Sequence, residues 1–346
     1  MSKTDIRKLD LASLENIFLE MGEKKFRARQ VEEWLWKHGA RTFDEMTGLS
    51  KALRQKLDEK FVINGIELDT FQKSSDGTLK SRFRLYDGSL IESVLIPVVR
   101  DKRFTVCVST QVGCSLSCKF CATGKMKRVR NLDASEIFDQ FVEVNKQALE
   151  HFGYPLTNVV YMGMGEPLLN YKNTLESIKL ISNPKGFNFS PRRITVSTAG
   201  IAKMITKLAD DEVRFNLALS LHAADDTKRD QIMPINEQNN LSVLMESIEY
   251  FYKKTKSKIS YEYITFQNFN DSIEDARKLL PLCKRFPVHI NIIEYNPIDG
   301  VSFLKSAAHK IDDFAKYLTD RGVTVTVRRS RGKDIDAACG QLANKE

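Results

Sequence analysis

The chain has 346 residues, 42% of them hydrophobic, and 53 Lys and Arg against 45 Asp and Glu give a formal net charge of +8. This is the composition of a globular protein with room for one large α/β domain and a smaller one, and its basic excess suits a polyanionic partner. No apolar run is long enough to span a bilayer, and six cysteines in so long a chain are not a disulfide framework, so reduced thiols in a cytosolic setting are expected.

The opening residues, Met1-Ser2-Lys3-Thr4-Asp5, are polar and carry no signal-peptide core, which also points to a cytoplasmic location with no membrane partner. Up to about residue 60 the pattern is helical: Val31, Trp34 and Leu35 recur at helical spacing within Arg27–His38, and Leu49–Phe61 is similar. Ile66–Pro97 alternates like strands, with Asp76-Gly77 and Asp87-Gly88 as hairpin turns. Residues 1–95 are therefore expected to form a small accessory domain, helical and then β, joined near Pro97 to a core of residues 96–346.

From Phe104 onward strands and helices alternate. Strands are predicted at Phe104–Ser109, Asn158–Met162, Ile194–Ser197, Phe215–Leu221, Ile259–Thr265, Val288–Ile293 and Val323–Arg328. Helices are predicted at Ala134–His151 with Asp133 as N-cap, Tyr171–Ile181, Ile201–Leu208, Leu241–Lys254, Ile273–Lys284 and Ser306–Arg321. Regular βα order implies a parallel sheet, and a six-stranded, partly open TIM-like barrel fits it. Ligands then gather at the C-terminal ends of the strands.

After the first of these strands comes Cys114-Ser115-Leu116-Ser117-Cys118-Lys119-Phe120-Cys121, three thiols spaced C-x3-C-x2-C with no fourth cysteine close behind. Buried core cysteines are one reading, but the flanks Gln111-Val112-Gly113 and Ala122-Thr123-Gly124-Lys125 read as loop. Structural zinc is another, with Cys107 as a distant fourth ligand, although such sites usually pair their ligands as C-x2-C twice. A third reading is a four-iron, four-sulfur cluster with one iron left free to bind a small molecule; ferredoxin-type clusters fill all four corners with cysteine.

Other strand ends carry unusual residues. Gly163-Met164-Gly165-Glu166-Pro167 combines glycines that let a backbone approach a ligand with a carboxylate that can accept from an ammonium. Ser197-Thr198-Ala199-Gly200, Ser220-Leu221-His222 and Tyr295-Asn296-Pro297 close three more strands. Singly each is a cap or turn; together, beside the thiol loop, they make a ligand pocket. Cys339 lies in a small, loop-like segment after Arg328, Arg329, Arg331 and Lys333, cations that favour a reactive thiolate, while Cys283 reads as a buried helix residue. A second basic group is Lys119, Lys125, Lys127, Arg128 and Arg130. Two such runs flanking one pocket suit a phosphate backbone delivering a base to it.

The triad with Phe120 resembles the radical S-adenosylmethionine (SAM) superfamily signature. With Gln111-Val112-Gly113-Cys114, Gly163–Leu168, Ser220-Leu221-His222 and Asp334–Leu342 it is similar to the RlmN/Cfr family of RNA adenine methyltransferases, over Glu92–Leu342 and, less specifically, the N-terminal helices. Pro167 after Glu166 resembles the branch that methylates C2 of adenine; the other branch acts at C8. The resemblance implies a partial (β/α)6 radical SAM barrel in which Cys114, Cys118 and Cys121 ligate a [4Fe-4S] cluster. It implies SAM contacts at Gly165, Glu166, Ser197, Ser220, Leu221, His222 and Asn296. It makes Cys339 the methyl-carrying thiol, Cys107 its partner in a transient disulfide and Glu92 the general base.

The function implied by the resemblance is methylation of C2 in an adenine of the peptidyl-transferase region of 23S rRNA and in the adenine beside the tRNA anticodon. Two SAM molecules serve each turnover, through a methyl-cysteine and a transient protein–RNA crosslink. The implied partners are 23S rRNA before ribosome assembly is complete, tRNA, and an electron donor such as flavodoxin or ferredoxin. The alternatives are a C8 methyltransferase and, in a different class, a zinc-stabilised RNA-binding protein without catalysis.

Overall fold

In the computed structural model, which describes residues 3–345, the N-terminal helices are Leu11–Glu20, Lys25–Trp36 and Lys51–Lys60. Each buries residues one turn apart: Leu14 and Phe18, then Ala28, Val31 and Leu35, then Leu53 and Leu57. With Ile6, Phe43, Met46, Leu49 and Phe61 they close a small core of their own. Buried Arg7 fixes this unit to the long helix Ala134–Phe152, its Nη1 lying 2.9 Å from Asp139, and Arg41 adds a 2.8 Å contact to Glu143 on the same helix.

A ten-stranded sheet organises the rest of the chain. Its parallel part holds six βα units. The strands are Arg103–Cys107, Asn158–Tyr161, Ile194–Thr198, Asn216–Ser220, Ile259–Thr265 and His289–Glu294. The helices that come after them are Ala134–Phe152, Tyr171–Ser182, Ala202–Asp210, Leu241–Thr255, Ile273–Cys283 and Ala308–Thr319. This is the expected partial barrel. A seventh parallel strand, Thr324–Arg328, predicted at Val323–Arg328, pairs with His289–Glu294 beyond the six of the barrel. Helix Ala134–Phe152 starts at Asp133 as predicted, with Glu136 reaching back to the Asp133 amide at 2.8 Å. Among the elements that sequence periodicity misses are the short helices Ala122–Lys125 and Asp226–Ile232 and the strand pair Gln111–Val112 and Arg130–Asn131.

Three antiparallel strands, Glu67–Lys73, Leu79–Arg84 and Leu90–Val98, extend the same sheet from the Arg103–Cys107 edge. Their turns are the two Asp-Gly pairs, with Gly77 and Gly88 at φ +87° and +80°. Leu79, Phe83, Ile91, Val94 and Leu95 belong to the large core of the barrel, and the two cores part between Phe61 and Ile66. We therefore propose a domain boundary there instead of near Pro97; alternation reveals strands, not the sheet they join.

Among the described residues no helix is long and apolar enough to cross a membrane.

Candidate active site

At the C-terminal ends of the parallel strands lies a cleft of about 930 Å³, open mouth included. Cys114, Cys118 and Cys121 line it, opposite Gly165, Glu166, Ser197, Ser220 and His222. Strand pairing explains the convergence. Ser197 sits beside Ala218 and Ser220 beside Glu262, so successive strands stack their last inward side chains around one opening.

Gly165 is required twice over. Its φ is +93°, and a Cβ there would stand 2.4 Å from Gln111 Cβ. Gln111 in turn accepts from the Glu166 amide at 2.8 Å. Glu166 is buried; one oxygen accepts from Leu168 N at 3.0 Å and the other from Ala199 N at 2.8 Å. Burial nevertheless raises its pKa to about 7. His222, in the left-handed region at φ +54°, accepts at Nδ1 from Ile264 N at 3.0 Å and meets Phe120 edge-on at 4.8 Å. Burial lowers its pKa to about 3, so it is neutral with its proton on Nε2. Ser197 donates to Tyr161 O at 2.8 Å.

Two predicted contacts stand back from the cleft wall. Leu221 is fully buried and holds Glu262 O through its amide. Asn296 is buried, with Nδ2 3.4 Å from Cys339 O.

Cys107 and Cys339 line a second, smaller cavity that shares Cys121, Thr123, Met162, Gly163 and Gly340 with the cleft. Both thiols are free. Burial pushes Cys107 up to about 12. Cys339 is exposed toward these cavities, yet the protein crowded around it raises its thiol, against the lowering effect of Arg328. Of the expected run of thiolate-favouring cations only Arg328 acts on the thiol, and it lies 3.7 Å from Glu262. Arg329 and Lys333 are held by Glu294 at 2.6 and 2.9 Å, and Arg331 donates to Pro97 O at 3.0 Å.

Glu92 faces neither cavity. It is buried in strand Leu90–Val98, 3.5 Å from Lys80 Nζ, and Oε2 accepts from the amides of Ala343 and Asn344 at 2.9 and 3.1 Å. The C-terminal arm therefore covers it.

The other basic run is also partly consumed inside the protein. Arg130 pairs with Asp87 and Glu136 at 2.6 and 2.7 Å, and Lys125 donates to Asp299 O. Lys119 and Lys127 form no ion pair among the described residues, and Arg128 meets only neutral Asn131.

Sequence reasoning missed two buried charges. Glu262 lines the cleft beside Ser220; Oε1 is held by Ser260 and Asn291 at 2.7 and 2.8 Å, while Oε2 has no hydrogen-bond partner and lies 3.7 Å from Arg328. The available signal was a carboxylate inside the otherwise uncharged strand Ile259–Thr265. Arg229 is the other, hidden in a helix that periodicity overlooked.

The residues fit an iron–sulfur cluster. Three free, soft thiols line one cleft together with Glu166, Ser197, Ser220 and His222. Among the described residues no three His, Cys, Asp or Glu converge tightly enough to hold a lone ion. Burial raises all three thiol pKa values, Cys114 to about 11, so binding must be coupled to proton release.

Comparison with known proteins agrees with this geometry. Residues 4–63 match the ribosomal RNA large subunit methyltransferase N-terminal domain, and residues 108–280 match the radical SAM superfamily. A Cytophaga hutchinsonii protein named as a probable dual-specificity RNA methyltransferase RlmN is 55% identical, covering 100% of this chain and 94% of its own. The dual-specificity RNA methyltransferase RlmN of Geotalea uraniireducens is 42% identical over 100% of this chain and 98% of its own. The crystal structure of a radical SAM methyltransferase from Sphaerobacter thermophilus superposes with a TM-score of 0.92 at 38% identity, covering 99% of this chain and 100% of that one.

Proposed function

Because the chain belongs to the RlmN family of dual-specificity RNA methyltransferases, we propose that it methylates C2 of adenine in 23S rRNA and in tRNA. It is a radical SAM enzyme that uses a [4Fe-4S] cluster and SAM. We place its rRNA substrate before the completed ribosome, and its electron donor among small carriers of the flavodoxin or ferredoxin kind. The observation that carries the reading is the pair of free thiols, Cys107 and Cys339, at a cavity adjoining the cleft of the cysteine triad.

In this proposal Cys114, Cys118 and Cys121 hold the cluster, and Glu166, Ser197, Ser220 and His222 hold SAM. The bound groups supply a methyl group and one-electron chemistry at carbon, which an electron-poor C2 requires. Cys339 Sγ first becomes methylated. Its methyl carbon would give up one hydrogen atom to the one-electron chemistry those groups supply and be joined to C2, the odd electron of the adduct returning to the same groups, so that RNA would be tethered to the protein. Glu92 takes the C2 proton, for which Ala343 and Asn344 must first leave its carboxylate. The Cys107 thiolate then attacks Cys339 Sγ, the sulfur–carbon bond breaks with its electron pair going to carbon, that carbon takes up a proton to become the methyl group, the base leaves, and cellular thiols reduce the disulfide. Lys119, Lys127 and Arg128, at and after the triad, are the cations left for RNA phosphates.

The target carbon is tested by mass spectrometry of adenine from rRNA and tRNA after anaerobic turnover. Methylation at C2 in both is expected. A C8 product would move the chain to the other branch, and a colourless protein with one zinc and no turnover would remove the enzyme reading.

Glu166 gives the binding step a pH signature. In the ligand-free protein its carboxyl takes up a proton as pH falls through about 7, and only the ionised form pairs with an ammonium. The SAM dissociation constant of the cluster-loaded protein should therefore rise on acidification, roughly tenfold per pH unit below 7. Glu166→Gln should bind weakly at every pH and lose the slope.

A further inference from the structure

Arg229 is completely buried, on the short helix Asp226–Ile232. Its guanidinium donates to Leu221 O at 3.1 Å, Asn236 Oδ1 at 2.6 Å, Ala199 O at 2.6 Å and Ser220 O at 3.3 Å. All four acceptors are neutral, and among the described residues it forms no salt bridge. Asp226 and Asp230 lie in its vicinity, but each directs an oxygen at Asn236 Nδ2, at 2.9 and 2.7 Å. A buried charge without a partner is destabilising, and although burial lowers this one to about 10 it stays charged at neutral pH.

The missing negative charge has an evident source. The thiol loop docks on this helix: Lys119 N donates to Ile232 O at 3.0 Å. Ile232 and Met233 share an apolar cluster with Phe120, against which Cys118 and Cys121 pack. Ala199 and Ser220, whose carbonyls Arg229 holds, line the cleft of the triad together with Cys118. Ala199 links the cation to Glu166, its carbonyl accepting from Arg229 and its amide donating to Glu166.

We infer that Arg229 is the fixed positive charge that makes the cluster held by Cys114, Cys118 and Cys121 easier to reduce. The inference rests on the proposal that those three thiols hold a cluster. A four-iron, four-sulfur core of charge 2+ on three thiolates is a monoanion, and one-electron reduction makes it a dianion. A cation fixed in a low-dielectric interior stabilises the dianion more than the monoanion, so the potential rises; net charge is among the factors that set it. Arg229 acts through the cluster and touches no reacting atom, so it is a positioning residue.

The test is a redox titration of the cluster-loaded, full-length protein, monitored by electron paramagnetic resonance, with iron content measured on the same samples. Arg229→Gln should lower the midpoint potential, and Arg229→Lys should restore it toward wild type. Asp230→Asn removes a nearby negative charge, keeps an acceptor for Asn236, and should raise the potential. An Arg229→Gln protein with full iron content and wild-type potential would overturn the inference. Should Arg229→Gln take up no cluster, Asp230→Asn decides, and an unshifted potential there overturns it. A wild-type protein with no titratable cluster would defeat the cluster reading itself, and the inference with it.

Discussion

Replacing Cys107 with alanine should leave RNA covalently attached to Cys339. Cys107 closes strand Arg103–Cys107 and pairs in register with Val94 and Val160, so alanine keeps the backbone and the packing. What disappears is the Cys107 thiol of the small cavity, while Cys121 and Cys339 stay. In the proposed route, methylation of Cys339 and attachment to the base need Cys339 and the cleft, and both remain. Only the step that breaks the sulfur–carbon bond lacks its nucleophile. Turnover should stop after one event per chain, with a protein–RNA species on denaturing gels that ribonuclease shortens. Cys107→Ala/Cys339→Ala should show no such species. Absence of a crosslink in Cys107→Ala, with SAM and reductant present, would remove Cys107 from the resolving role.

Replacing Cys118 with alanine should cost the protein its cluster, and with it all methylation. Iron content should fall from about four per chain toward zero, because two thiolates do not hold a cubane. The fold should survive. Cys118 packs against the apolar group of Phe120, Ile232 and Met233, outside the main barrel core. Circular dichroism and the thermal transition of the metal-free protein should therefore match those of the metal-free wild type. A Cys118→Ala protein that still bound four irons would show that another side chain holds that corner.

Much of the site was legible because its chemistry is local. The thiol spacing, the glycines before Glu166 and the strand ends are contiguous motifs, and the regular βα order told which rim they share. The hairpin turns were legible for the same reason, since an Asp-Gly pair carries its own backbone preference. What stayed hidden was set by distant partners. Arg130 reads as part of a basic face, yet Asp87, 43 residues away, and Glu136 hold it inside. The cations before Cys339 read as its neighbours, yet Glu294 at the end of another strand claims Arg329 and Lys333. The run Asp225-Asp226-Thr227-Lys228-Arg229-Asp230 looks like solvent-exposed polar sequence and gives no sign that Arg229 turns inward. Nor does the sequence near Glu92 show that residues 343 and 344 come to rest on its carboxylate.

The measurement that bears most directly on the thiol-carried route is isotopic. With SAM labelled by three deuterium atoms on its methyl group, the methylated adenine should carry two deuterium atoms and one hydrogen, because the carbon attached to Cys339 gives up one atom before it joins C2 and regains a proton on release. A product methyl that keeps all three deuterium atoms would mean direct transfer from SAM to the base and would contradict the roles given to Cys339 and Cys107.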